Sequence, residues 1–415
     1  MRISCKELDL EIKAPPSKSV FHRELIVNFM LGGRGAILQN SEEDNDDIRA
    51  TKACLRALDD LDHDVIVLDC NESGSTLRFM IPFALAMNIP PEKRLVFKTR
   101  GRLIERPLKE LADCLEPYGV KIVKDRERNE IEVTGRITPG TYSIDGSVSS
   151  QYISGLLMAL AGFDAPSTIE VKGGIASVHY IELTIAALAG YGINIVREGD
   201  TFKVPAIGNL AADDIVRLVV EGDWSNAAFL LCLGSLIQAG SVKVSGLRLD
   251  SVQGDMAILK FLEMAGIPYE TDNGTVTTRD SSMLDVVDKI ELDCTDIPDI
   301  VPYMAVTGAF RAKKTILHGI RRLRIKESDR AKAITEMLSV LGGNVTLEDD
   351  DITIEYIDKR KIPEEIVLTS SGDHRMAMAA VLCSAASGKP VEIDDVNCLD
   401  KSFPEFRKVL LKEMT

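Results

Sequence analysis

Four short polar clusters in this sequence hold side chains that could bind anions or move protons: SKSVFHR from Ser17, DIPDIVPYM from Asp296, RIKESDRAKA from Arg324 and SGDHRMAMA from Ser371. Lys18 and Arg23 lie five apart, on broadly one side of a helix end, and Ser19 adds a hydroxyl and a backbone N–H. Lys326, Glu327 and Arg330 fall within about one turn of a helix, where the ordinary explanation is a salt-bridged solvent face. Asp373, His374 and Arg375 stand at the entrance of an apolar helix that must be buried, a costly arrangement unless they are paired or functional. Asp296 and Asp299 flank Pro298. A structural cap accounts for one aspartate and leaves the other as a candidate base or metal ligand. Metal is the poorer choice, because no compatible His or Glu cluster accompanies them. No Walker pattern or G-x-G-x-x-G occurs, so nucleotide binding has little support.

The elements that must position these clusters repeat along the chain. A small or polar cluster followed by an Ala/Leu-rich helical stretch recurs six times, marked by Lys18, Gly74, Ser149, Ser225, Asp299 and Asp373. The spacings are roughly 56, 75, 76, 74 and 74 residues, the signature of a repeated supersecondary unit. Between markers lie short β-branched runs (VKIVKD, IEVTG, STIEVKG, INIVREG, VKVSG, ITIEYI) and a second, amphipathic helix, so each period reads as an α/β unit. These helices end on Gly119, Gly190, Gly266 and Gly342, as expected of left-handed C-caps. Three units precede about residue 222 and three follow it, which predicts two pseudo-equivalent halves. The bland alternative is that polar-then-apolar describes any helix start; the regular spacing argues against it.

A helix N-terminus offers unpaired N–H groups and a positive dipole end. Ser, Thr, Asp and Asn there are ordinary caps, whereas Lys, Arg and Gln are not what capping requires. Lys18, Arg23, Arg78, Gln151, His374 and Arg375 lie in or near such starts, a set suited to phosphate and carboxylate groups.

Composition bounds the partners. The 415 residues predict two domains, and 45% apolar with 27% charged residues is the balance of a folded globular chain. A net charge of -15 without like-charge blocks argues against nucleic-acid or membrane-surface binding, so an anion site must be built from locally gathered cations. The eight cysteines form no C-x-x-C pair, the charged start lacks a signal peptide's apolar run, and no apolar stretch is long enough to span a bilayer. A reduced, cytoplasmic protein is expected. The N-x-[ST] matches at Asn71, Asn273 and Asn344 then carry no meaning.

In chain order, SKSVFHR, ESGSTLR, ERPLKEL, GSVSSQY, SVHYIELT, EGDWSNAAF, DSVQGD, DIPDIVPYMA, RIKESDRA, SGDHRMAMA and DKSFPEF together resemble the motif series of the 3-phosphoshikimate 1-carboxyvinyltransferase (EPSP synthase) family of enolpyruvyl transferases. The resemblance runs from about residue 13 to 408, and KESDR and DHRMAMA are its most characteristic parts. It implies an α/β, two-domain inside-out α/β barrel, each domain three copies of a βαβαββ unit. The domains would be 16–222 and 1–15 plus 223–415, with crossings near 15–17 and 221–223 and closure over the substrates.

The implied reaction moves the enolpyruvyl group of phosphoenolpyruvate to the 5-hydroxyl of shikimate 3-phosphate, releasing phosphate. No cofactor or metal is implied, no nucleic acid or membrane partner, and a monomer is expected. Carried over motif by motif, Lys18 resembles the lysine touching both substrates, with Ser19 and Arg23 on the shikimate phosphate side. Ser149, Ser150, Gln151 and Ser177 match the 3-phosphate pocket, with Tyr180 beside it. Gly74, Arg106 and Gln151 look like phosphoenolpyruvate contacts, and Arg330, Arg375 and Lys401 resemble the clamp on its phosphate and carboxylate. Asp299 matches the proton acceptor, Lys326 a shikimate-ring contact, Glu327 or Lys18 the proton donor, and His374 a supporting residue.

Two positions depart from the pattern: Arg322 stands where many members carry Asn, and Glu72 where Asn is frequent. The sister transferase acting on UDP-N-acetylglucosamine usually has a reactive cysteine shortly before the Arg-Pro pair; here GRLIE precedes Arg106-Pro107. A non-catalytic anion-binding protein of the same fold would be expected to lose Asp299, Glu327 or the arginines, and all are present.

Overall fold

The computed structural model describes residues 1–42, 44–90, 92–207 and 220–414. The chain divides into two compact units, Lys18–Val220 and Met1–Ser17 with Glu221–Thr415. Each is built from helices packed against small open sheets. Among the described residues no helix is long and apolar enough to cross a membrane.

In the Lys18–Val220 unit, strand Val65–Asp69 runs parallel to Arg94–Lys98, which pairs antiparallel with Glu130–Thr134 and through it with Lys121–Asp125. A second sheet repeats the order with Thr141–Asp145, Ser167–Lys172, Thr201–Val204 and Val196–Glu198. The parallel pair in each needs a crossover, supplied by helices Gly74–Ala86 and Ser150–Leu160. The other unit repeats the pattern twice. Glu7–Lys13 lies parallel to Ala239–Ser245, followed by Thr275–Arg279 and Tyr269–Asp272. Val287–Asp293 lies parallel to Ala312–His318, followed by Asp351–Glu355 and Val345–Leu347.

Among the described residues the βαβαββ unit is therefore complete four times, rather than the six times that the family resemblance implies. A fifth sheet has three strands, Ile366–Leu368, Val391–Ile393 and Arg2–Ile3. Among its described residues the stretch from Lys18 to Asp59 holds the α-helices Lys18–Met30 and Asp46–Asp59, a 3-10 turn Gly35–Leu38 and no strand. The polar-then-apolar helix start repeats there, but β-branched runs of the kind found further on do not. None of the five sheets closes into a barrel among the described residues.

The helices that begin at the six markers form the interior. Every residue of Trp224–Leu236 is buried, and so is every residue of Val301–Arg311 and His374–Ser387. A helix apolar on all sides belongs inside, at roughly 1.5–3 kcal/mol per large side chain buried. Helices Gly74–Ala86 and Ser150–Leu160 approach closely because Gly155 lacks a side chain; a Cβ there would lie 2.7 Å from the Arg78 carbonyl oxygen. Burying these helices also buries their polar starts, which is what brings charged groups together.

One cap differs from expectation. Gly190 is the last residue of Val178–Gly190, and the left-handed conformation falls two residues later on Gly192 (φ 81°).

Candidate active site

The sequence-singled residues gather into two groups, one in each unit. In the Lys18–Val220 unit, Lys18 opens helix Lys18–Met30 and its Nζ lies 2.9 Å from Asp47, in the first turn of Asp46–Asp59. Arg23, on the same helix, goes elsewhere. Its Nε donates to Thr184 (2.7 Å), and its two terminal nitrogens to the Ser19 carbonyl (2.5 Å), the Tyr180 carbonyl (2.7 Å) and Ser154 (3.3 Å). Lys18 and Arg23 thus reach different helices, not the common side their spacing suggested. Arg23 is 2% exposed and every one of these acceptors is uncharged. Burial lowers its pKa to about 9, with Tyr180 opposing. A buried guanidinium among neutral oxygens is electrostatically incomplete and suited to an anion.

The second helix start of this unit holds Gly74 and Arg78. A Cβ on Gly74 would lie 2.2 Å from Arg106 Nη1, so only glycine leaves that guanidinium in place. Ser73 caps the helix by accepting from Thr76 N–H. Arg78 donates to Gln151 Oε1 at 2.6 Å while Gln151 Nε2 donates to Ser75, so Gln151 is oriented from both ends. Arg78 also donates to the Pro107 carbonyl, as does Tyr152, tying down the Arg106–Pro107 turn. Ser149 is an ordinary N-cap, accepting from Gln151 N–H at 3.3 Å, and Ser150 beside it is buried. Ser177 caps Val178–Gly190 with φ 53°, a left-handed conformation that a serine adopts only under constraint. Tyr180 contributes its carbonyl to Arg23.

The other unit gathers Asp299, Lys326, Glu327, Arg330, Asp373, His374 and Arg375, and also holds Lys401. Arg330, 1% exposed, donates to Asp299 (2.9 Å), Glu327 (2.9 Å) and both oxygens of Asp373 (2.8 and 3.2 Å). Burial opposes its charge, but these three carboxylates outweigh it and hold the pKa well above the usual arginine value. Lys326 reaches Asp299 at 3.2 Å. Burial lowers its pKa to about 8, with Arg322 and Arg330 adding to the drop while Asp299 and Glu327 resist it. Arg322 thus acts on this site as a charge beside Lys326.

Asp373 caps His374–Ser387 through Arg375 N–H and accepts from Ser328. Arg375 is buried and donates to the Tyr303 hydroxyl at 3.0 Å. His374 is buried with Nδ1 3.7 Å from Asp373. Lys401 ends the turn Asn397–Lys401, 7% exposed; its neighbour Ser402 donates to Asn226, and Phe403 and Phe406 pack below.

Two local readings change. The cap position of Val301–Arg311 is Ile300 with no side-chain cap bond, so neither Asp296 nor Asp299 is the expected cap. Lys326 and Glu327 lie ahead of helix Arg330–Val340, whose cap is Asp329, so the charge run is not a solvated helix face. The sequence reading also passed over Asp47, Thr184, Ser154 and Tyr303. Each is a partner fixed by tertiary packing; only Asp47, beside the capping Asn45, carried a local signal.

The family model described as EPSP synthase (3-phosphoshikimate 1-carboxyvinyltransferase) matches residues 4–410. The chain is 33% identical to a 3-phosphoshikimate 1-carboxyvinyltransferase of Clostridium novyi over 98% of this chain and 96% of that one. It is 31% identical to that of Brachyspira hyodysenteriae, over 93% and 92%. In fold it is similar to EPSP synthase of Acinetobacter baumannii (TM-score 0.73, 19% identity, 100% of this chain and 98% of that one). It is equally similar to the enolpyruvyl transferase NikO of Streptomyces tendae (TM-score 0.73, 14% identity, 100% and 97%). The chain belongs to the EPSP synthase family.

Proposed function

We propose that this member of the EPSP synthase family transfers the enolpyruvyl group of phosphoenolpyruvate to the 5-hydroxyl of shikimate 3-phosphate, releasing phosphate. The observation that carries the reading is Asp299: a carboxylate oriented by Arg330 and Lys326 within a charge-balanced buried cluster. That is what a base needs when it must take a proton from a neutral hydroxyl at a fixed point.

In this reading Arg23, Ser19, Ser149, Ser150, Ser177 and Tyr180 serve the shikimate 3-phosphate, and Lys326 its ring. Gly74, Arg106, Gln151, Arg330, Arg375 and Lys401 serve phosphoenolpyruvate, and Lys18 touches both. As the 5-hydroxyl oxygen bonds to C2 of phosphoenolpyruvate, its proton passes to Asp299 and the methylene carbon gains a proton from Glu327 or Lys18. The resulting tetrahedral adduct then returns that proton from the methyl group and expels phosphate. Fixed cations stabilise the charge on the adduct and on the departing phosphate. The finer architecture proposed is two domains, 16–222 and 1–15 plus 223–415. It is supported by the four complete βαβαββ units and by the Pro16–Gly222 bridge between the two crossing segments. A monomer acting on these two small molecules is the proposed state.

The test is phosphate release from purified protein given phosphoenolpyruvate with shikimate 3-phosphate, each alone, and phosphoenolpyruvate with UDP-N-acetylglucosamine. Release with the shikimate pair alone is expected, and release only with the sugar nucleotide overturns the acceptor. Asp299→Ala should lower kcat by roughly 10²–10⁴ with KM little changed.

A further inference from the structure

Tyr303 has no part in the reaction above. It stands on helix Val301–Arg311, four residues past Asp299, and its side chain is wholly buried. Its hydroxyl accepts from Arg375 Nη1 at 3.0 Å and lies 3.0 Å from Met378 Sδ, one turn further along His374–Ser387. Chemistry fixes the polarity of both contacts. A guanidinium only donates and a thioether only accepts, so the hydroxyl receives a hydrogen bond from Arg375 and gives its own proton to Met378. Burial pushes the Tyr303 pKa up to about 12, so the hydroxyl is neutral around physiological pH.

Arg375 has little else to hold it. Among the described residues the Tyr303 hydroxyl is the one hydrogen-bond partner of its guanidinium, Nε has none, and no carboxylate forms an ion pair with it. Arg330, by contrast, is fixed by three carboxylates. A buried guanidinium on a flexible stem, held by a single neutral oxygen, depends on that oxygen for its place. The oxygen itself is firmly placed. The Tyr303 ring packs on Phe229 (centroids 5.7 Å), Phe229 on Phe406 (4.7 Å), and Phe406 on Phe403 (5.8 Å), two residues past Lys401. The Arg375 guanidinium carbon lies 5.8 Å from the centre of the same tyrosine ring.

Resting on the enolpyruvyl-transfer reading, we propose that Tyr303 is a positioning residue that acts through Arg375: its hydroxyl holds the guanidinium in place before phosphoenolpyruvate arrives. Tyr303 touches neither substrate and moves no proton. Its contribution is preorganisation, because a tethered guanidinium loses less freedom on binding an anion than a loose one. The benefit is confined to phosphoenolpyruvate. Arg23, the cation assigned to shikimate 3-phosphate, has four acceptors of its own.

Tyr303→Phe keeps the ring and removes only the hydroxyl. Its KM for phosphoenolpyruvate should rise about tenfold, with KM for shikimate 3-phosphate within about twofold and kcat within about threefold, the worth of one hydrogen bond to a charged group. A merely structural role would move both KM values together. The decisive readout is a double-variant cycle. In an Arg375→Met background, adding Tyr303→Phe should change kcat/KM for phosphoenolpyruvate by less than about twofold, because the group it acts through is gone. A further measurement needs no turnover: solvent exchange of the Arg375 Nε–H, seen by NMR of arginine-labelled protein and assigned by its absence in Arg375→Met. That exchange should be at least about tenfold faster in Tyr303→Phe than in the wild type.

An unchanged KM for phosphoenolpyruvate, equal rises in both KM values, independent losses in the double variant or an unchanged exchange rate overturns the proposal. A wild type that releases no phosphate from this substrate pair overturns the enolpyruvyl reading and the substrate role with it, while faster exchange in Tyr303→Phe upholds the tether itself.

Discussion

Arg23 and Arg330 are both buried guanidiniums at the heart of their units, yet their surroundings are opposite. Arg23 donates only to hydroxyls and carbonyls, and burial lowers its pKa to about 9. Arg330 donates to three carboxylates, which hold its pKa well above normal. The contrast separates two uses of a cation. One lacks a negative partner and suits a phosphate that arrives as a ligand. The other is already neutralised and suits the fixed orientation of acids that move protons. An acidic chain, net charge -15, can bind anions because the first kind of site keeps its own carboxylates away.

The largest expected effect comes from breaking the compensated side. Arg330→Met takes the shared guanidinium from three carboxylates, of which Asp299 keeps Lys326, so urea denaturation should show a loss of roughly 3–5 kcal/mol. Phosphate release should fall with it. Arg23→Met strands no carboxylate, and its stability should change by no more than about 1–2 kcal/mol, from the hydroxyls left unpaired. Its KM for shikimate 3-phosphate should instead rise roughly 10–100-fold, the value of a charge-assisted contact. Equal stability losses in the two variants, by chemical denaturation, would erase the contrast.

Gly74→Ala sharpens the comparison within one unit. The new methyl group displaces the Arg106 guanidinium, so KM for phosphoenolpyruvate should rise about tenfold while that for shikimate 3-phosphate holds. A shift in both KM values would place Arg106 on the other substrate.

The last comparison is of acid stability. His22 is buried against Thr51, and burial lowers its pKa to about 3, partly countered by Asp47. The unfolded chain binds that proton below about pH 6.5 and the folded chain does not. Stability contributed by neutral His22 is therefore present above that pH and lost as pH falls toward 3. The slope is at most about 1.4 kcal/mol per pH unit. Thermal melting of His22→Gln between pH 4 and 7 should show a flatter acid limb than wild type.

Much of this is legible in the sequence. The six helix starts, the strand runs and the polar clusters are local patterns, and local patterns survive into the fold. What failed was equally instructive. The spacing implied six equal α/β units, but the stretch from Lys18 to Asp59 lacks β-branched runs and, among its described residues, makes helices and no strand. Lys326, Glu327 and Arg330 looked like a solvated helix face, because sequence distance says nothing about Asp299 and Asp373 arriving from elsewhere to pair with them.

The sequence by itself determined which helices are buried and which polar groups stand at their starts, since periodicity and composition follow from nearest neighbours along the chain. Only tertiary structure decided which charges meet. Lys18 and Arg23 share a helix yet serve different partners, while Arg330 and Asp373, forty-three residues apart, share a hydrogen bond. The reason is physical: an ion pair depends on distance in space, and a buried charge is stable only where packing brings its partner within a few ångströms.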